Sequence, residues 1–129
     1  MMKLLLDSHI FLWFISADSR LPILLRDAIR EPNNALFLSV ASLWEIIIKY
    51  NLGKLPLPQS PEIYIPRQRQ IHRIRSLPIN ELSLKHLASL PNLHRDPFDR
   101  ILISQALNSN LILVTVDPEI VKYNVPILK

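Results

Sequence analysis

The chain has 129 residues, 49% of them hydrophobic and 20% charged, with a net charge of +4. That is enough for one domain with a real core, and it excludes a disordered chain. The absence of cysteine excludes disulfides, thiolate nucleophiles and cysteine-rich zinc sites, and the single glycine, Gly53, excludes a dinucleotide fingerprint or a phosphate-cradling loop.

The first fifteen residues are apolar enough to suggest a signal peptide, but Asp7 and His9 interrupt the run and no small-residue cleavage site follows. No stretch reaches the roughly 18 uninterrupted apolar residues of a membrane helix. The expectation is a soluble protein, and the lack of cysteine fits a reducing cytoplasm. The positive charge favours a polyanionic partner such as nucleic acid.

Lys3-Leu4-Leu5-Leu6 predicts a strand buried on both faces, ended by Asp7. Ser8 to Ser16 predicts a very apolar helix, and Leu21 to Arg30 a second one before the turn at Pro32-Asn33-Asn34. Ala35 to Leu38 reads as the next strand. Ser39 to Leu52 reads as a helix carrying Val40, Leu43, Trp44, Ile47 and Ile48, with Gly53 as its C-terminal cap. Glu45 is assigned to an Ala41–Ile48–Leu52 stripe, and Trp13, Phe14 and Trp44 to the core.

Leu55-Pro56-Leu57-Pro58 predicts a rigid connector. Pro61 to Arg75 predicts a basic helix with Arg67, Arg69, Arg73 and Arg75, either a solvated face or a contact for an RNA backbone. An extended piece around Leu77-Pro78-Ile79 and a short helix, Ser83 to Leu90, come next. Asp96-Pro97 is a strong helix start, with a side-chain cap followed by proline at the first helical position, and the helix runs to about Asn108. Leu111 to Thr115 predicts a strand, Asp117-Pro118 a second cap-plus-proline start, and Val125 to Leu128 an edge strand. Short apolar strands alternating with helices imply a single α/β domain over residues 1–129 with a mainly parallel sheet.

Sites in such sheets form beyond the carboxyl ends of the strands. Asp7 stands at one such end and Asp117 just past another, while Glu45 and Asp99 fall in the early turns of helices. Asp99 shares a helical face with Leu102, Ile103 and Ala106, and a carboxylate on an apolar face needs compensation. Capping by itself accounts for Asp7, Asp96 and Asp117; it does not account for Glu45. Four converging carboxylates would repel one another unless a cation joined them, and an all-oxygen site points to Mg²⁺ or Mn²⁺ rather than zinc. Arg95 and Arg100, beside the cleft, are the candidates to hold phosphate oxygens. His9, His72, His86 and His94 are scattered and are not assigned to the chemistry.

Leu4-Leu5-Leu6-Asp7-Ser8-His9, Ser39 to Ile46, Leu52-Gly53-Lys54-Leu55, His94 to Arg100 and Thr115-Val116-Asp117 together resemble the PIN-domain family, and within it the VapC-like toxins of type II toxin–antitoxin systems. The resemblance covers essentially the whole chain. It implies a three-layer α/β/α fold and a Mg²⁺-dependent endoribonuclease that hydrolyses phosphodiester bonds with a metal-activated water and leaves a 5′-phosphate. Position by position, Asp7, Glu45, Asp99 and Asp117 match the family's acids, with Asp7 and Asp99 as main metal ligands and Glu45 and Asp117 completing the site. Asp96 accompanies the motif, and Ser8 or Thr115 would hold a carboxylate or water. Val116 stands where a polar or basic residue is common. The resemblance also implies a cognate antitoxin and a homodimer. Two alternatives stay open: a PIN-like RNA- or protein-binding module without turnover, and a Mg²⁺-dependent phosphatase of small phosphoesters. The second is disfavoured by His9, where aspartyl-nucleophile phosphatases carry a second acid.

Overall fold

The computed structural model describes all residues, 1–129. A five-stranded, wholly parallel sheet has the order β3-β2-β1-β4-β5. The strands are β1 (Lys3–Leu6), β2 (Ala35–Ser39), β3 (Ile74–Leu77), β4 (Ile112–Val114) and β5 (Ile127–Leu128). The helices are α1 (Ser8–Ile15), α2 (Ile23–Arg30), α3 (Val40–Asn51), α4 (Pro61–Ile71), α5 (Pro97–Ser109) and α6 (Pro118–Val121), with a 3₁₀ segment at Leu82–Ser89.

Strand β1 is central because it is apolar on both faces. Leu4 and Leu6 point into one core with Phe11, Leu25, Leu36, Leu38, Ile46 and Ile65, which belong to α1 to α4 and β2. Leu5 points the other way, to Leu102, Ile103, Ala106 and Leu113 of α5 and β4. The period of two thus builds both outer layers from three adjacent leucines. Each is fully buried, and each stabilises the fold by roughly 1.5–3 kcal/mol.

The pairing also sets where functional side chains emerge. Leu6 lies opposite Leu38 on one side and Val114 on the other, so β1 and β4 end level with the penultimate residue of β2. The next residues, Asp7, Ser39 and Thr115, therefore leave the same sheet edge side by side, and the Asp7 amide still donates to the Val114 carbonyl at 3.1 Å.

Several boundaries differ from expectation. The basic segment is not one helix to Arg75. Helix α4 stops at Ile71, Arg73 takes a left-handed conformation (φ 56°), and Ile74 to Leu77 form β3, paired with Leu36 to Ser39. Buried Ile74 is what holds that strand, while its exposed Arg75 and Ser76 face the solvent as an edge strand permits. The extended piece consequently ends at Leu77 rather than spanning Pro78 and Ile79. The helix at Ser83 is a 3₁₀ segment, and α2 begins at Ile23. In α3 the buried residues are Ala41, Ser42, Glu45 and Ile46, whereas Ile48 and Leu52 of the expected stripe are exposed. Trp44 is 53% exposed instead of core, and it meets Phe98 edge-on at 5.0 Å. Apolar residues surround this helix on every side, so periodicity could not select the buried face.

Gly53 closes α3 with φ 71° and has no atom within 4 Å of where a β-carbon would stand. Gly53→Ala should therefore cost only the left-handed backbone penalty, about 1 kcal/mol in urea unfolding, with no packing loss.

Candidate active site

Each acid at this edge is placed by an ordinary local device. Asp7 caps α1, its Oδ1 accepting from the Ile10 amide at 2.9 Å, while Oδ2 accepts from the Thr115 hydroxyl. Thr115 in turn accepts from the Asp117 amide at 3.1 Å, linking the ends of β1 and β4 through one buried oxygen. Asp117 caps α6 through the Glu119 amide at 2.9 Å. Asp96 caps α5, accepting from Phe98 at 2.9 Å and Asp99 at 3.3 Å. Asp99 therefore has no capping duty. Glu45 is buried in α3 and accepts from the Ser8 hydroxyl at 2.7 Å through Oε1, while Oε2 pairs with Lys49 Nζ at 3.0 Å.

The acids are mutually close enough to disturb one another. Burial pushes the Asp99 carboxyl up to about 6, the nearby charges of Asp96, Glu45 and Asp7 push the same way, and the His94 hydrogen bond only partly opposes them. Burial also raises Asp7, with Asp117 adding to the effect against the bonds from Ile10 and Thr115. Asp7, Glu45, Asp99 and Asp117 are thus brought together, and Ser8 and Thr115 each hold one of their carboxylates. An oxygen-rich pocket in which burial opposes ionisation is one that a divalent cation would relieve. Asp99 and Asp117 present carboxylate oxygens within 4.8 Å of each other for it, while Asp7 and Glu45 stand outside that tight group.

Three further side chains belong to the site without having been assigned to it from sequence. His94 Nε2 lies 2.8 Å from Asp99 Oδ2. Lys49 offsets Glu45; its i+4 spacing on α3 was the available signal. Tyr123 receives the His94 amide at 2.9 Å. Arg100 is used differently from expectation: its Nη1 donates to the Pro91 carbonyl and to Tyr123 Oη, each at 3.0 Å, bracing the segment ahead of α5 instead of standing ready for a phosphate. Arg95 is exposed and lines an open cleft of about 340 Å³ with Glu45, Lys49 and Asp96. A neighbouring recess of about 260 Å³ is lined by Ser8, His9, Glu45, Lys49 and Lys54. The arginines of Arg67 to Arg75 do not join this edge as a helical face. Arg69 is tied to the Ile74 carbonyl at 3.1 Å, and Arg75 lies over the Phe37 ring.

A parallel α/β domain with carboxylates gathered beyond its central strand ends belongs to the class of sheet proteins whose sites lie at that edge. Within that class the chain is a member of the PIN domain family, whose model matches residues 4–125. A stretch of 61 residues is 39% identical to Ribonuclease VapC16 of Mycobacterium tuberculosis, covering 47% of this chain and 40% of that protein. The fold is similar to that in VapBC2 of Rickettsia felis bound to a DNA fragment from its promoter, with a TM-score of 0.74, 16% identity and 98% of each chain covered. It is also similar to that in VapBC-1 of nontypeable Haemophilus influenzae, with a TM-score of 0.69, 21% identity, and 99% of this chain and 98% of that one covered.

The raised Asp99 carboxyl has a consequence for the metal-free protein. Its protonated form is favoured by folding, so its contribution to stability is fully present below pH 3.8 and is lost as the pH rises through about 6. In chelator at pH 7.5, Asp99→Asn should be more stable than the parent by about 1–2 kcal/mol after solvent screening, and the difference should vanish near pH 3.5 in pH-resolved thermal melts.

Proposed function

We propose that this protein is the toxin component of a type II toxin–antitoxin system, a metal-dependent endoribonuclease that hydrolyses RNA phosphodiester bonds in the cytoplasm. The observation that carries this reading is the convergence of Asp7, Glu45, Asp99 and Asp117 at one edge of a PIN-family sheet, with burial resisting the ionisation of Asp7 and Asp99. Membership of the family and likeness to a protein named a ribonuclease support the hydrolytic assignment.

Mg²⁺, or Mn²⁺ in its place, would supply positive charge against the phosphoryl oxygens and activate the attacking water. The chain's own residues set the stage for it. Asp7 and Asp99 present carboxylates from two elements fixed by caps, so little motion accompanies binding. Thr115 and Ser8 hold the Asp7 and Glu45 carboxylates in single orientations. Asp117 completes the acid set from the far end of the chain. Arg95, with Lys49 and Lys54 along the adjoining recesses, offers the cationic contacts an RNA backbone requires; such contacts position the strand without reading its sequence.

The solved structures of similar fold are VapBC assemblies, which supports a cognate antitoxin as partner. A groove of about 470 Å³ beside α1, lined by Leu12, Trp13, Leu55, Leu57 and Tyr64, gives an apolar segment of that partner room to seat. The homodimer is supported by α3, where exposed Val40, Trp44, Ile48 and Leu52 recur every fourth residue as one apolar stripe. No helix is long and apolar enough to cross a membrane.

RNA cleavage should require Mg²⁺, cease in EDTA, and fall on the order of 100-fold or more in Asp99→Asn, followed by gel assay of a single-stranded substrate with end-group analysis for a 5′-phosphate. Activity surviving both chelation and the substitution would remove the nuclease reading. Calorimetric titration separates it from a silent module, which should bind no Mg²⁺ through these carboxylates. Replacing Ile48 and Leu52 together by Glu should shift the light-scattering mass from dimer to monomer; an unchanged mass would place the dimer contact elsewhere.

A further inference from the structure

The acid cluster contains one donor that is not oxygen. A ring nitrogen of His94 and one carboxylate oxygen each from Asp99 and Asp117 all lie within 4.8 Å of one another, on the order of twice a ligand bond of ~2.1 Å. Three separate parts of the chain meet there: the segment before α5, the first turn of α5, and the cap of α6. His94 and Asp99 are both largely shielded, with side chains 18% and 15% exposed.

The placement of His94 is braced. Its amide donates to Oη of buried Tyr123, and Arg100 Nη1 donates to the same oxygen and to the Pro91 carbonyl. Loop and helix are thereby tied to the same tyrosine oxygen. The acids retain donor capacity as well. Asp117 uses Oδ1 for its cap, leaving Oδ2 for a ligand, and a cation seated between His94 and Asp99 would take the place of the Nε2–Oδ2 hydrogen bond, the ring nitrogen giving up its proton.

Resting on the nuclease reading above, we propose that His94 is a nitrogen ligand of the cation site, making it a mixed nitrogen–oxygen centre that prefers Mn²⁺ over Mg²⁺. The reason is chemical. Mg²⁺ is satisfied by oxygen and gives up water reluctantly, whereas imidazole favours first-row transition ions. Carboxylate oxygen alone also accepts Mn²⁺, so the nitrogen is reported by the fall of the preference when His94 is replaced, together with the spectroscopic signal.

The test is pulsed electron paramagnetic resonance of the protein loaded with Mn²⁺, combined with calorimetric titration by Mn²⁺ and by Mg²⁺. Wild-type protein should show ¹⁴N modulation of the Mn²⁺ signal, replaced by the ¹⁵N pattern when histidine alone is ¹⁵N-labelled. In His94→Gln the modulation should disappear and the Mn²⁺-over-Mg²⁺ preference should fall roughly tenfold. His9→Gln, which removes the histidine beside Asp7, should retain both, which excludes that ring as the source of the nitrogen even where His94→Gln fails to fold. Absence of the nitrogen signal in wild-type protein, its loss in His9→Gln, its persistence in His94→Gln or an unchanged preference would each overturn the proposal. If ions bind through the carboxylates without nitrogen, only the His94 assignment fails. If Asp99→Asn leaves ion binding untouched, the nuclease reading itself fails.

Discussion

Crowding of like charges in a poorly hydrated place is the constraint on which the rest of this molecule turns. Asp7 and Glu45 are buried and Asp99 half-buried at the edge where the central strands end, and burial, reinforced by neighbouring carboxylates, raises Asp7 and Asp99. A folded chain rarely keeps such an arrangement without compensation. Here the compensation is partial: a threonine and a serine hydroxyl, one lysine, one histidine and the amides of helix starts. These partners orient the carboxylates while leaving net negative charge in the pocket, which is the electrostatic state a divalent ion would complete.

The helix caps do two jobs at once. A residue that satisfies the orphan amides of a first turn is necessarily fixed at the strand-to-helix junction, and in a parallel sheet those junctions lie at one edge. Asp7 and Asp117 are caps and members of the cluster for the same geometrical reason. Structural and functional readings of these acids are therefore not competitors. Asp96 shows the division most clearly, since by capping α5 it frees Asp99, three residues on, to face the pocket.

Much of this was legible in the order of residues. The leucine run of β1, the start of α5 at Asp96-Pro97, the closing of α3 by Gly53 and the burial of Leu102, Ile103 and Ala106 beneath Asp99 all follow from local chemistry and period. The failures differ in cause. In α3, apolar residues on all sides leave the buried face undefined in the sequence, so Trp44 and Ile48 read as core although they are exposed. At Arg73 a left-handed turn and a paired Ile74 overrode the propensity that would have carried α4 onward. Arg100 reads from its sequence neighbours as a phosphate contact, whereas its partners, Pro91 and Tyr123, are set by how the α5 approach folds against the C-terminal segment.

Sequence alone determined strands β1, β2 and β4 and the caps at Asp7, Asp96 and Asp117, because each depends on neighbours a few residues away. Tertiary structure alone decided which of those acids share a field, which cation offsets which carboxylate, and that His94 enters the pocket at all. Those outcomes depend on distances between elements up to 108 positions apart, as between Asp7 and Thr115, and no local propensity encodes them.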